Sequence, residues 1–261
     1  MHTNQGEGLF TSALLRSTVG VKSLARIRFP SKDMILDYYN DLFDLQKGDM
    51  VFVDGKLEGV RGIVIDVIYN FKIKPSQYHR VIALVNTEVH GTFQILGSHF
   101  VTFDRAALPK EQLLTWFKAP EEEEYVTGEG DSQSFPLSDL SGFEIKPQVV
   151  ARGHEYYVEN RVRYLCLDGT KGYAIVEGGE AYEVEFTYQE GQISHMTCSC
   201  PYHNAHCKHE FAMLLQFRDI LDLIEEHHRE EYQNTSYFAA ISKGTLLDFT
   251  VLSKESGSIT I

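Results

Sequence analysis

The sequence is poor in cysteine and has neither a long apolar run nor an excess of positive charge. It has four cysteines in 261 residues, and three of them fall between positions 198 and 207. Such a cluster is unlike a disulfide framework and fits a reducing compartment. No apolar run approaches the ~18 residues of a membrane-spanning helix, and the first residues lack the pattern of a secretion signal. We therefore expect a cytoplasmic protein with no membrane partner.

Two motifs that mark common enzymes are also missing. The chain has no Gly-x-x-x-x-Gly-Lys-Ser/Thr loop for phosphates and no Gly-x-Ser-x-Gly elbow for a serine nucleophile. No local combination of a nucleophile, a histidine and an acid stands out. The sequence therefore predicts no catalytic residues, and we expect that the protein is not an enzyme.

The net charge of −13 at pH 7 is spread unevenly along the chain. Residues 1–118 carry 14 Lys and Arg against 12 Asp and Glu, whereas residues 119–145 carry 8 acidic residues and no basic one. Residues 146–233 carry 8 basic and 15 acidic residues. Nucleic-acid binding relies on Lys and Arg that replace the counterions of phosphates. The N-terminal part is therefore the better electrostatic candidate for nucleic acid.

The cysteine cluster has the composition of a metal site. Cys198 and Cys200 lie two residues apart, and so do Cys207 and His209. Side chains two apart in an extended segment point the same way, so the first pair can face one ion. Three thiolates and one imidazole are a complete tetrahedral set for zinc. The sequence therefore predicts one zinc ion, bound by these four residues.

The identity of the histidine ligand and the role of the metal leave alternatives open. His203 lies in the intervening loop and is the alternative ligand, whereas His195 and His206 are expected at the surface or beside the ligands. A catalytic zinc usually keeps three protein ligands and an open position. Four protein ligands close the coordination sphere, and Glu210 is expected to point elsewhere on a helix. We therefore predict a structural zinc.

The pattern Cys-x-Cys, a gap, and Cys-x-His resembles the SWIM zinc finger. The resemblance extends to the Arg152-Gly153-x-x-Tyr156 segment, a strand at Val162, a Tyr182-x-Val184 strand and a helix after the last ligand. SWIM modules are linked to chromatin-type helicases, transposases and ubiquitin ligases, where they are thought to bind DNA or protein. The resemblance therefore implies a module that binds a macromolecule.

Short segments with Gly turns between them predict strands in the first half of the chain. The order Gly-Asp, Val-x-Val, Gly-x-Val-x-Val resembles SH3-like barrels of the KOW and tudor type. Residues 34–42 are ambiguous. We expect a helix over residues 109–117, with Trp116 packed on the barrel. The predicted strands cover residues 23–29, 50–53, 63–69, 80–85, 92–96 and 99–103.

Periodicity predicts a mixed second half. Apolar residues at helical spacing indicate a helix over residues 149–157 and a longer one from His209 to about Tyr232. Residues 236–241 are predicted as a short helix and residues 246–252 as a strand, with residues 258–261 as a further strand or a frayed end. Four strands are predicted between the two longer helices, over residues 162–167, 172–177, 182–188 and 193–198.

The fold class predicted from these elements is α+β. An SH3-like β-barrel domain ending in a short helix is assigned to residues 1–118, and an acidic linker to residues 119–146. A SWIM-type domain with an antiparallel sheet, a ββα zinc finger and a long helix is assigned to residues 147–233, and a tail to residues 234–261. The favoured function is an accessory or adaptor protein that binds a protein partner. The alternative is a nucleic-acid-binding factor that uses the barrel and the zinc finger together.

Overall fold

In the computed structural model, the chain divides between Asn86 and Thr87 into two compact units. The structure describes residues 22–120, 125–126, 128, 134–140, 146–202 and 206–252. All strand pairs of both sheets are antiparallel, and helices accompany them, so the predicted α+β class is confirmed. Among the described residues, no helix is long and apolar enough to cross a membrane.

The first unit is a five-stranded sheet with the order β2-β1-β4-β3-β5. A single bridge between Tyr39 and Arg80 brings its two edges together. The ambiguous residues 34–42 contain a strand, which pairs along its whole length with the strand before it. The strands are β1 (Ser23–Phe29), β2 (Met34–Asn40), β3 (Met50–Val53), β4 (Gly62–Ile68) and β5 (Val81–Val85).

Alternation in the sequence decides which side of β1 is buried. Ala25, Ile27 and Phe29 are fully buried, whereas Arg26 and Arg28 between them are exposed. Successive side chains of a strand point to opposite faces, so residues 25–29 present one apolar face to the core and one charged face to solvent.

The second unit is built around an eight-stranded sheet with the order β6-β7-β13-β9-β10-β11-β12-β8. The edge strand β8 is short and pairs with β12. The strands are β6 (Gln94–Leu96), β7 (His99–Thr102), β8 (Phe135–Pro136), β9 (Val162–Asp168), β10 (Lys171–Glu177), β11 (Ala181–Gln189), β12 (Gln192–Cys198) and β13 (Tyr237–Ser242).

Two helices cover one face of the second sheet. The long helix α3 places a row of apolar side chains against β9 to β12, and α2 packs on α3. Tyr164 points to the other face, where its hydroxyl donates to the carbonyl of Leu108 at 2.8 Å. The α-helices are α1 (Lys110–Phe117), α2 (Pro147–Val158), α3 (Lys208–His227), α4 (Arg229–Thr235) and α5 (Lys243–Leu247), and a π-helical turn, Asp248–Leu252, follows α5.

Two strands and a helix that the sequence analysis assigned to the N-terminal barrel belong instead to the second unit. β6 pairs with β7, and β7 pairs with β13. Trp116 of α1 is fully buried and stacks on Phe249 at 4.8 Å, so its stacking partner lies in the second unit and not in the predicted barrel. β6 and β7 belong to the second unit because β7 pairs with one edge of β13, a strand that lies far along the chain.

Part of the segment predicted as an acidic linker is packed against the second sheet. Phe135 pairs with Ile193 of β12, and Phe135 and Leu137 are both buried in the core of this unit. These two apolar side chains leave water on packing, which a solvated spacer would not do. The acidic run over residues 121–124 lies outside the described residues.

The predictions for the end of the chain were wrong at two places. Residues 236–241 were predicted as a helix but form most of β13, and residues 246–252 were predicted as a strand but form the end of α5 and the π-helical turn. All six residues of β13 are buried because β7 and β9 flank the strand and both of its faces are covered. The long helix predicted to reach Tyr232 breaks at His228 into α3 and α4. Residues 258–261 lie outside the described residues.

Candidate metal centre

The end of β12 positions the first two cysteines. Cys198 is the last residue of this strand and pairs with Val184 of β11. The following Ser199 is held twice, because its N–H donates to the carbonyl of Glu183 and its hydroxyl accepts from the N–H of Glu183, both at 2.9 Å. The backbone just before Cys200 is therefore held in place, and the side chain of Cys200 is buried.

The first turn of α3 positions the other two residues. Cys207 is the N-cap of the helix, and its thiol accepts a hydrogen bond from the N–H of Glu210 at 3.4 Å. The carboxylate of Glu210 in turn accepts from the N–H of Cys207 at 2.6 Å. This reciprocal pair is a capping box, in which a cysteine takes the place usually held by serine or threonine. His209 lies two residues beyond Cys207 on the same turn.

The ligand atoms of the four residues lie within 4.8 Å of one another. The Nδ1 atom of His209 is 3.8 Å from Sγ of Cys198 and 3.7 Å from Sγ of Cys207. A zinc ion bound at about 2.3 Å from sulfur and about 2.0 Å from nitrogen, in a tetrahedron, requires a sulfur–nitrogen separation of about 3.5 Å. The two distances are close to this value, and the four side chains are close enough together to hold one metal ion, with Nδ1 as the imidazole nitrogen that faces the thiols.

Aromatic rings enclose the imidazole of His209. The ring of Tyr182 stacks on it at 4.4 Å, and the ring of Tyr156 lies 5.4 Å away at 60°. A Cβ atom added to Gly178 would lie 3.1 Å from Nε2 of His209, so the chain approaches this atom closely. Nε2 is buried and has no hydrogen-bond partner among the described residues. The packing thus fixes the ring so that only Nδ1 faces the thiols.

Burial favours the neutral form of the imidazole. It lowers the pKa of His209 to about 4, and the nearby charges of Lys208 and Arg152 act in the same direction. A metal ligand must offer a lone pair, which protonated imidazole lacks. The side chain is therefore already in the form that binds a metal at neutral pH.

The pKa values of Cys207 and Cys200 are raised, and a bound cation would lower them again. The neighbouring thiol of Cys198 and then burial hold the pKa of Cys207 far above its ordinary value, and burial raises the pKa of Cys200. Thiolates at Cys200 and Cys207 are therefore disfavoured as long as no cation is bound. A bound divalent cation inverts this balance and deprotonates its thiol ligands.

The structure brings together the four residues that the sequence assigned to the metal. His195 is exposed on β12 and is not part of the group, and His206 lies with Nδ1 3.5 Å from the carboxylate of Glu210. His203, the alternative ligand, lies outside the described residues. The fourth cysteine, Cys166, is buried on β9 and also stands apart from the group.

Sequence reasoning did not identify the residues that hold the ligands in place. Glu210 was expected to point elsewhere on its helix, and its carboxylate does turn back to the backbone rather than toward the thiols. Its spacing of three residues from Cys207 was the available signal. Tyr156 and Tyr182 were named only as part of the resemblance to the SWIM zinc finger. Their contacts with His209 join residues from different elements, so no local pattern predicts those contacts.

No protein-family model matches this chain, and neither a curated protein nor a solved structure matches it. The functional inference for this protein therefore rests on the chemistry of the site itself. Within the described part of the chain, one group of three or more metal-ligating side chains is close enough to hold a single metal ion, and it consists of three cysteines and a histidine.

Proposed function

We propose that this protein is a SWIM-type zinc protein that acts as an accessory or adaptor and binds a protein partner in the cytoplasm. The observation that carries the proposal is the Cys3His group with its sulfur–nitrogen distances of 3.7 and 3.8 Å. Thiolate and imidazole ligands in a tetrahedron are the ligands and geometry that zinc prefers. All four cysteines are free thiols, which fits a reducing compartment.

The surroundings of the group support the SWIM resemblance. A Cβ atom on Gly153 would lie 2.9 Å from the carbonyl oxygen of Lys208, so α2 touches the start of α3 at this glycine. Tyr156 and Tyr182 contact the imidazole of His209. Three of the residues that carry the resemblance outside the ligands, Gly153, Tyr156 and Tyr182, therefore lie against His209 or against the start of the helix that bears it.

The proposed zinc is structural, and the protein is proposed not to be an enzyme. Four protein ligands complete the tetrahedron and leave no position for a water molecule or a substrate. The carboxylate of Glu210, which adjoins His209 in the chain, accepts the N–H of Cys207 and contacts His206. Its oxygen is thus engaged in holding the helix start rather than in activating water.

Protein recognition has more support than nucleic-acid recognition. In the first unit, proposed as an SH3-like barrel, Arg26 pairs with Asp37 at 2.9 Å and Arg80 pairs with Asp41 at 3.4 Å. These two cations are neutralised locally, which weakens the electrostatic case for phosphate binding. The nucleic-acid alternative predicts a salt-dependent shift of DNA or RNA by the full chain, measured in a mobility-shift titration.

Metal analysis of protein purified without chelator tests the site. We expect one zinc per chain, and we expect Cys200→Ser to lose it, because the variant lacks one of the four ligands. Structural zinc supplies on the order of 10 kcal/mol of folding free energy in small modules. The matched control is Cys166→Ser, which removes a buried thiol outside the group and should keep the zinc. Absence of zinc in the unaltered chain, or equal zinc loss in both variants, would contradict the proposal.

A pull-down from the native cell tests the adaptor role. The zinc-loaded chain and the Cys200→Ser variant are used side by side, and we expect a partner protein that binds the first and not the second. If nuclease treatment removes all bound protein, the nucleic-acid alternative replaces the adaptor role.

A further inference from the structure

A cavity of about 290 Å³ opens beside the candidate metal centre. Cys200, Cys207 and His209 form one wall, and mostly apolar atoms line the rest. Tyr202 and Pro201 stand at its exposed side. The volume lies just below the range for ligand pockets, which is about 300–1,000 Å³. The cavity therefore has room for one or two side chains rather than for a large ligand.

Two cationic side chains line this cavity, and only one of them has no partner among the described residues. Lys208 is held in place, since its ammonium donates to the hydroxyl of Tyr156 at 2.7 Å and lies 4.3 Å from the centre of that ring. Arg152 is exposed on α2 and makes no hydrogen bond or ion pair with the described residues. The cavity therefore combines an apolar interior with a guanidinium that is available to a carboxylate.

We infer that this cavity binds a peptide segment in which a large apolar or aromatic side chain is next to a carboxylate. The inference rests on the proposed adaptor function and names the chemistry of its partner. The apolar side chain fills the cavity against Val149 and Tyr202, and the carboxylate pairs with Arg152. Guanidinium and carboxylate form two parallel hydrogen bonds, which gives the contact orientation as well as strength.

The metal is part of this surface. Three of the four predicted zinc ligands form a wall of the cavity, so loss of the ion would release that wall. Peptide binding should therefore depend on zinc.

A single carboxylate fits the cavity better than a run of phosphates. Nucleic-acid binding requires several cations along a surface, whereas residues 146–233 carry 15 acidic residues against 8 basic ones. At the cavity, one guanidinium is available, and the second cation is already bonded to Tyr156. Charge complementarity thus favours a peptide with one carboxylate at this position.

The test is a titration of the zinc-loaded, isotope-labelled full chain, followed by NMR, with the peptide acetyl-Ser-Phe-Glu-Ser-amide. We expect saturable shifts of the backbone amides of Val149 and Tyr202. Replacing the peptide glutamate with glutamine should weaken binding about tenfold, as expected for a lost hydrogen bond between charged groups. The protein variant Arg152→Glu should weaken binding by at least that factor. Lys171→Glu is the matched control, because Lys171 is an exposed cation that does not line this cavity, and it should leave binding unchanged.

The zinc content of the same samples separates the two proposals. One zinc per chain without saturable shifts would overturn the peptide site and leave the metal proposal intact. A chain that holds no zinc would overturn the metal proposal and the peptide site that rests on it. Tighter binding of a thymidine hexanucleotide, lost in Arg152→Glu, would assign the cavity to nucleic acid and overturn the peptide. Equal effects of Arg152→Glu and Lys171→Glu would also overturn it.

Discussion

Glu210 is the residue that links the candidate metal centre to the long helix. Its buried carboxylate accepts the N–H of Cys207, and its own N–H donates to the thiol of that cysteine. The first backbone groups of a helix have no partner within the helix, so a side chain must satisfy them. Here the same contacts that cap α3 also hold a predicted zinc ligand in its rotamer.

We expect Glu210→Ala to weaken both the helix and the zinc site. Loss of a cap costs about 1 kcal/mol of stability, and loss of a group that orients a metal ligand lowers metal affinity by roughly 10- to 100-fold. Glu210→Gln keeps an oxygen that can accept the N–H of Cys207 and should retain most of the affinity. Competition with a chromophoric chelator measures the zinc affinity.

The control for this comparison is Glu230→Ala, which removes an exposed carboxylate from α4. It should leave zinc affinity unchanged. If Glu210→Ala binds zinc as tightly as Glu230→Ala does, the capping contact does not support the site.

At the residue scale, the sequence was enough to identify the group of four and not its support. Cys198, Cys200, Cys207 and His209 could be selected from spacing, because ligands two apart on short segments meet one ion. The role of Glu210 was hidden because cysteine is not among the residues that usually cap helices.

Close packing of two helices brings α2 to the start of α3. Gly153 is buried in α2, and an added Cβ atom would lie 2.9 Å from the carbonyl oxygen of Lys208 and 2.9 Å from Cδ1 of Phe211. Backbone atoms cannot move away cheaply, so the two helices can approach to this distance only with glycine at this position.

We expect Gly153→Ala to destabilise the second unit by about 1 kcal/mol. Overpacking costs about 1–3 kcal/mol, and the better helix propensity of alanine returns up to about 1 kcal/mol. The matched control is Gly244→Ala in α5, where an added Cβ atom meets nothing within 4 Å and alanine should stabilise by up to about 1 kcal/mol. Denaturant unfolding followed by the fluorescence of Trp116, the single tryptophan, reports on this unit. Stabilisation by both substitutions would show that α2 and α3 can separate without loss.

At the element scale, alternating strands could be predicted and β13 could not. β1 alternates buried and exposed residues from Ala25 to Phe29, and this period identifies a strand. β13 is buried at all six positions because it has a strand on each side and covered faces. A short, uninterrupted apolar run has no period, so the sequence does not separate a central strand from a buried helix.

The division of the chain into units depends on pairing between distant segments. Strand spacing indicated β6 and β7 correctly, but it carries no information about the sheet to which they belong. β7 pairs with β13, in a register that joins Thr102 to Ala239 and His99 to Ser242. The sequence predictions for residues 236–241 did not include a strand, so β7 had no predicted partner in the second half of the chain. β6 and β7 were therefore assigned to the sheet that precedes them in the sequence.

Two sets of fragments test the units. The five strands of the first sheet all lie before residue 87, so residues 1–86 should keep their strands without the rest of the chain. Residues 87–261 should bind one zinc and unfold cooperatively.

A fragment of residues 119–261 lacks β6, β7 and α1, which leaves one side of β13 unpaired and removes Trp116, a fully buried side chain. Removal of such a side chain from a core costs about 3–5 kcal/mol even as a single substitution, which is comparable to the stability of many domains. We therefore expect this shorter fragment to aggregate or to show no cooperative transition, measured by circular dichroism at increasing denaturant with zinc present. Cooperative unfolding of residues 119–261 with a midpoint equal to that of residues 87–261 would show that β6, β7 and α1 contribute nothing to the second unit, and the boundary near residue 118 would then be the correct one.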